Sequence, residues 1–172
     1  MADLETTYLG LKLKSPVIIA ASPLTQNVVS LMKCEEAGAG AVVLKSIFEE
    51  QINEEVNAEV EANDEYLNFS SAHSVYQRAA TDFLIEKYIK LLASAKKELH
   101  IPVIASICCK SLSSWSEYAK RFIENGADAI ELNYYPVTSD ARVEGKVVDE
   151  EFRKFVEYAR KNISCPLAIK MG

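Results

Sequence analysis

Glu36-Ala37-Gly38-Ala39-Gly40-Ala41 and Glu124-Asn125-Gly126-Ala127-Asp128-Ala129 are one phrase written twice. In each, a glycine follows the last residues of a helical pattern, where a left-handed backbone ends a helix, and small residues then lead directly into an apolar run. Five short runs read as apolar strands buried on both faces, as in a parallel sheet: Val17 to Ala21, Ala41 to Leu44, Val103 to Ile107, Ala129 to Leu132 and Leu167 to Ile169. The second and fourth follow the Gly-Ala phrase, and the others follow Pro16, Pro102 and Pro166. Between them, apolar residues recur three and four apart over Val28 to Ala37, Phe83 to Leu99, Trp115 to Asn125 and Glu150 to Asn162, which predicts crossover helices. Asn27 is placed to cap the first helix, and Ser114 with Glu117 forms a capping box for the third. Successive right-handed βα units of this kind favour a TIM-type (β/α) barrel over a doubly wound sheet. Ahead of them, Thr6 to Leu9 and Leu11 to Leu13 around Gly10 predict a β-hairpin under the amino ends of the strands.

Composition narrows the function. The 172 residues are 49% hydrophobic and 26% charged, which is the profile of one soluble globular domain, residues 1–172. With 19 basic against 25 acidic side chains, the net charge of −6 leaves no basic surface for nucleic acid or anionic lipid. The longest uncharged stretch, Ser15 to Met32, contains two prolines and several polar residues, so the expected location is cytoplasmic and the expected partner a small-molecule substrate. Cys34, Cys108, Cys109 and Cys165 have no metal-ligand spacing with His73 and His100, so reduced structural cysteines and no metal are expected. No Lys or Arg lies between Lys45 and Arg78, whereas eight acidic residues do, which marks residues 48–80 as an acidic insertion after strand two. Ile52, Val56 and Val60 would give it an amphipathic helix with a solvated face, and it is expected to lie over the mouth as a lid. A complete eight-stranded barrel needs about 250 residues. Ending at Gly172, on the tip of strand five, the chain reads as the amino-terminal portion of such a barrel, truncated to about five parallel strands.

In a βα barrel the chemistry lies at the carboxyl ends of the strands. The residues there are Ala21-Ser22, Lys45-Ser46, Ser106, Asn133-Tyr134-Tyr135 and Lys170. Two lysines and an asparagine at one mouth suit an anionic or carbonyl-bearing ligand.

These residues carry a resemblance. Thr7-Tyr8-Leu9-Gly10-Leu11-Lys12-Leu13-Lys14-Ser15-Pro16, Ala21-Ser22, Lys45-Ser46, Pro102-Val103-Ile104-Ala105-Ser106, Glu131-Leu132-Asn133 and Ala168-Ile169-Lys170 resemble the amino-terminal part of the dihydroorotate dehydrogenase family, over essentially the whole chain. The resemblance implies an FMN-dependent oxidoreductase of pyrimidine metabolism, acting on the CH–CH bond of a dihydropyrimidine-like or related small substrate through the flavin. It implies cofactor contacts from Ala21, Ser22, Lys45, Ser46, Ser106, Asn133 and Lys170, with Lys45, Asn133 and Tyr135 nearest the chemistry. Where the family's established members carry Asn-x-Ser-Cys-Pro or its serine version, this chain reads Asn133-Tyr134-Tyr135-Pro136-Val137 and offers neither thiol nor hydroxymethyl. An unperturbed phenol titrates near pH 10, so Tyr135 reads as an aromatic wall before it reads as a base, with Cys108 and Cys109 also near the mouth. A homo-oligomer is expected. The alternative from a different class is a non-catalytic barrel fragment or small-molecule-binding module that completes its sheet by self-association.

Overall fold

The computed structural model describes residues 3–48, 54, 70–108, 112–135, 140 and 142–171. Strands β1 (Thr6–Tyr8) and β2 (Leu11–Leu13) pair antiparallel, with Tyr8 opposite Leu11. The two residues between them, Leu9 (φ 54°) and Gly10 (φ 79°), both lie in the left-handed region, the turn whose twist matches a hairpin. Leu9 accepts that conformation while its side chain packs, with Leu11, on the layer formed by Val43, Ile104 and Ala129.

The rest of the chain alternates: β3 (Ile18–Ile19), a 3₁₀ turn (Pro23–Thr25), α1 (Val28–Glu36), β4 (Ala41–Val43), β5 (Ile47–Phe48), α2 (Ser70–Glu98), β6 (Val103–Cys108), α3 (Leu112–Glu124), β7 (Ala129–Tyr134), α4 (Gly145–Asn162) and β8 (Leu167–Met171). All pairings within the large sheet are parallel, in the order β3-β4-β6-β7-β8, with β5 also on β6. The five expected strands are therefore present in consecutive order, as a half-barrel with a hairpin below it.

Alternation along the strands sorts the side chains. Val42, Leu44, Val103, Ala105, Ile107, Ile130 and Leu132 enter the main core with Leu31, Ile85, Leu92, Phe122 and Phe155 from the helices. Full burial of one such aliphatic or aromatic side chain is worth about 1.5–3 kcal/mol, so this helix-side layer dominates stability.

Asn27 caps α1 as expected, its Oδ1 accepting from the Ser30 N–H at 2.9 Å. The box at Ser114 does not form, because α3 already begins at Leu112 and Ser114 lies inside it. Helix α2 starts at Ser70 rather than Phe83. Ala72, Val75, Tyr76, Ala79 and Phe83 carry the three-and-four spacing back ahead of the expected start, and with the strong helix formers Ala, Gln and Arg between them the backbone is helical from Ser70. Of the acidic segment, Phe48 belongs to β5 and residues 70–80 to α2, while residues 49–53 and 55–69, with Ile52, Val56 and Val60, lie outside the described residues. Cys34 and Cys165 are free thiols, and Cys109 is outside the described residues. No helix among the described residues is long and apolar enough to cross a membrane.

Candidate active site

The inward face of the sheet changes character over one strand length. At its amino end Val43, Ile104 and Ala129, which are register partners, are covered by the hairpin leucines. One step further along, Ser106 stands opposite Glu131, and then Asn133 stands opposite Lys170. Polar groups thus concentrate at the carboxyl ends, where a half-barrel opens.

A bulge shapes this end. Between the pairs Val43↔Ile104 and Ile47↔Ile107, the second strand has three residues, Leu44, Lys45 and Ser46, against two on β6. The extra residue breaks the ladder at Ser106 and turns Lys45 and Ser46 out of ordinary strand register. The Tyr88 phenol from α2 fills the gap, accepting the Ser106 N–H at 3.0 Å and donating to the Ser106 carbonyl at 3.4 Å. Burial holds the Tyr88 phenol far above its ordinary range; the bond from Ser106 opposes this and the Glu131 charge adds to it. It therefore stays a neutral phenol, able to donate and accept at once.

Ser46, Ser106 and Asn133 form one hydrogen-bonded cluster. The two hydroxyl oxygens are 2.8 Å apart, and the Asn133 Nδ2 lies 3.1 Å from Ser46 Oγ, 2.9 Å from Ser106 Oγ and 3.1 Å from the Ile107 carbonyl. Ser106 Oγ donates to Glu131 Oε1 at 3.0 Å. Asn133 is only 2% exposed, and its Oδ1 is buried without a hydrogen-bond partner among the described residues. A buried amide oxygen left unmatched costs about 1–3 kcal/mol, which points to a donor supplied from elsewhere.

The loop after β3 is tied to the same end. Ser22 Oγ accepts from the Leu24 N–H, Thr25 Oγ1 accepts from the Ser22 N–H, and the Thr25 carbonyl accepts the Lys45 N–H at 3.2 Å. Ala21 packs against the inward apolar layer. Thus three expected residues, Ser46, Ser106 and Asn133, are brought into direct contact, and Ser22 and Lys45 are linked through Thr25. Lys170 is exposed beside Asn133, and among the described residues neither its ammonium nor that of Lys45 is paired with a carboxylate. Tyr134 turns to the helix side, stacking on Phe155 at 4.6 Å and tilting against Phe152 at 5.2 Å. Tyr135, just past β7, is 46% exposed; Pro136 and Val137 lie outside the described residues.

Sequence reasoning missed Glu131, Thr25 and Tyr88. The run Ala129 to Leu132 is not continuously apolar: Glu131 interrupts it, and a charge within a strand buried on both faces signals an inward polar site. Thr25 and Tyr88 have no comparable signal, since each matters only through a backbone partner distant in sequence.

No family model matches the chain. Over 134 residues it is 31% identical to the catalytic subunit of dihydroorotate dehydrogenase B (NAD(+)) from Thermoplasma acidophilum, an alignment covering 77% of this chain and 42% of that subunit. This chain belongs to the dihydroorotate dehydrogenase family. A second member-like relative is the NAD-dependent dihydropyrimidine dehydrogenase subunit PreA of Escherichia coli K12, 23% identical over 176 residues, with 98% of this chain and 42% of that subunit covered. The chain thus spans less than half the length of these family relatives. Among solved structures, the dihydrodipicolinate synthase DapA-2 of Bacillus anthracis superposes with a TM-score of 0.51 at 13% identity, covering 89% of this chain and 44% of that one, a likeness of fold alone.

Proposed function

We propose that the protein is an FMN-dependent oxidoreductase acting on the CH–CH bond of a dihydropyrimidine-like or related small substrate. One observation carries this reading: the Ser46–Ser106–Asn133 cluster at the carboxyl ends of the strands keeps a buried amide oxygen that has no partner among the described residues, next to a lysine with no carboxylate partner among them. That donor set fits the edge of a planar, electron-rich ring that offers both N–H and carbonyl groups. When bound, the flavin supplies hydride acceptance, which no side chain can perform.

The chain's own residues do the rest. Lys170, beside Asn133, holds positive charge where electron density accumulates on reduction of a ring, and Lys45 holds charge on the bulge across the mouth. Ala21, Ser22 and Ser46 line the approach from the first two strands, and Ser106 and Asn133 fix the ring edge. Tyr135, exposed at the end of β7, supplies a wall over the substrate side. The names of the relatives, a dihydroorotate and a dihydropyrimidine dehydrogenase, support the substrate class.

The test is to titrate the protein with FMN and follow the flavin absorption band and its midpoint potential. Lys170→Ala is expected to lower the potential and slow hydride transfer by about a hundredfold, the scale of losing one preorganised charge. Lys45→Ala is expected to weaken substrate binding more than flavin binding. A protein that takes up no flavin, or lysine variants with unchanged potential and turnover, would overturn the proposal.

A further inference from the structure

Glu131 closes the cluster at its inner end, where its carboxylate takes the Ser106 hydroxyl proton. A serine hydroxyl has one proton. The Ser106 proton is directed to Glu131 Oε1 at 3.0 Å, so at the 2.8 Å contact with Ser46 it is Ser46 that donates and Ser106 that accepts. With its proton committed, Ser46 can only accept from Asn133, 3.1 Å away. Ser106 Oγ and the Ile107 carbonyl are also acceptors toward Asn133, at 2.9 and 3.1 Å. Every neighbour of the Asn133 amide group is thereby an acceptor, so its nitrogen faces the cluster and its oxygen is the atom left without a partner.

We infer that Glu131 is a positioning residue: through Ser106 and Ser46 it sets the direction of the hydrogen bonds and so, together with the Ile107 carbonyl, fixes Asn133 with its carbonyl as the free group, which makes the site select a ligand offering a ring N–H there. Glu131 touches no ligand in this role. What the relay needs from position 131 is an acceptor oxygen, not a charge. Without an acceptor there, the Ser106 hydroxyl turns to Ser46, the Ser46 proton is released toward Asn133, and of the acceptors that hold the amide nitrogen in place only the Ile107 carbonyl is left unchanged. The ligand part rests on the proposed flavin site; the orientation part does not.

That distinction shapes the experiment. The Asn133 side-chain amide protons are assigned by ¹⁵N NMR in the wild-type protein, using Asn133→Asp to identify the missing pair, and FMN affinity is measured in parallel. Glu131→Leu is expected to shift the Asn133 amide resonances, speed their exchange with solvent and weaken FMN binding about tenfold, the loss of one well-placed hydrogen bond. Glu131→Gln keeps an acceptor oxygen and is expected to restore wild-type resonances and affinity to within about twofold. Ser106→Ala breaks the relay at its middle with little change in volume; it is expected to shift the Asn133 resonances in the same way, and it decides the question where Glu131→Leu does not fold. Unchanged Asn133 resonances in Glu131→Leu or Ser106→Ala would overturn the relay, as would a Glu131→Gln protein that behaves like Glu131→Leu, since charge would then be the property required. If the wild type binds no FMN, the flavin reading fails while the resonances still decide the role of Glu131.

Discussion

The two junctions that repeat in the sequence make the same turn and then part company. After α1, the Gly38 N–H reaches the Glu35 carbonyl and the Ala39 N–H the Cys34 carbonyl; after α3, Gly126 reaches Ile123 and Ala127 reaches Phe122. Both glycines have φ 97°, so the paired closing bonds and the left-handed residue are identical. At the next position the Gly40 N–H donates to the Val17 carbonyl and the Asp128 N–H donates to the Val103 carbonyl, again in equivalent places. The difference lies in how the N–H of that same residue, at the entry to the neighbouring strand, is satisfied. Val17 is capped by Ser15 Oγ, two residues earlier in the chain, at 3.2 Å, whereas Val103 is capped by Asp128 Oδ2 from across the junction at 2.7 Å. Ser15 therefore occupies, in the first unit, the space that the aspartate side chain occupies in the second, and a Cβ at position 40 would run into the Ser15 carbonyl oxygen. One backbone requirement has two solutions, and each dictates its own residue.

Gly40→Ala is expected to have the largest effect. The contact is with backbone, which cannot swing aside, so a loss of about 3 kcal/mol in unfolding free energy is expected, at the upper end of overpacking costs. The chemical denaturation midpoint checks it, and a shift under one third of that would mean that β3 slides freely past β4.

Asp128→Ala should come next, with a loss of about 2 kcal/mol, because it strands the Val103 N–H and frees Lys96, whose ammonium contacts both carboxylate oxygens at 2.7 and 2.8 Å. Lys96→Ala should cost less than half as much, since the pair is partly exposed and only the N–H cap is buried backbone. Equal losses from the two variants would make the ion pair, not the cap, the working part.

Gly38→Ala and Gly126→Ala sharpen the shared half. The identical φ predicts similar costs of about 1–2 kcal/mol each from left-handed strain. A clear inequality in thermal unfolding would mean that the surroundings, such as the Lys96 stem 3.5 Å from a Cβ at position 126, outweigh the turn.

The smallest effect belongs to a junction of the other kind, where a proline rather than a glycine leads into the strand. Burial pushes the Cys165 thiol up, with backbone hydrogen bonds at Cys165 and Ile130 opposing. A raised folded value favours the neutral thiol, so its stabilisation is intact below the ordinary thiol range and is lost as pH rises above about 8.5 through the folded value. Alkylation of Cys165 at pH 8 is expected to be several-fold slower than that of an unperturbed thiol, with a stability decline confined to the alkaline side; peptide mapping and pH-dependent melting check the two halves.

Much of the fold was legible because it rests on local chemistry. The glycines at 38 and 126, the prolines before β3, β6 and β8, the cap at Asn27 and the helical periodicity each act within a few residues, and the strands follow in order. Misreadings occurred where locality failed. Ser114 carries a cap signal that a longer helix overrides, and α2 runs ahead of Phe83 along a weaker, alanine-rich continuation of its spacing. The candidate site was half legible: Ser46, Ser106 and Asn133 could be placed at strand ends, but their contact could not be foreseen, nor the inward carboxylate of Glu131 within a run read as apolar.

The sequence by itself determined the βα alternation, the reversal turns, the parallel order of the strands and the polar residue types at their carboxyl ends, because periodicity and the conformational limits of Gly and Pro operate along the chain. Only the tertiary structure decided the bulge at Lys45–Ser46, the Tyr88 phenol that fills it, the direction of the bonds from Ser46 through Ser106 to Glu131, and which junction needs a glycine and which an aspartate. Those are matters of which backbone groups lack a partner and which atoms already fill a space, and both depend on segments that meet only when the sheet has formed.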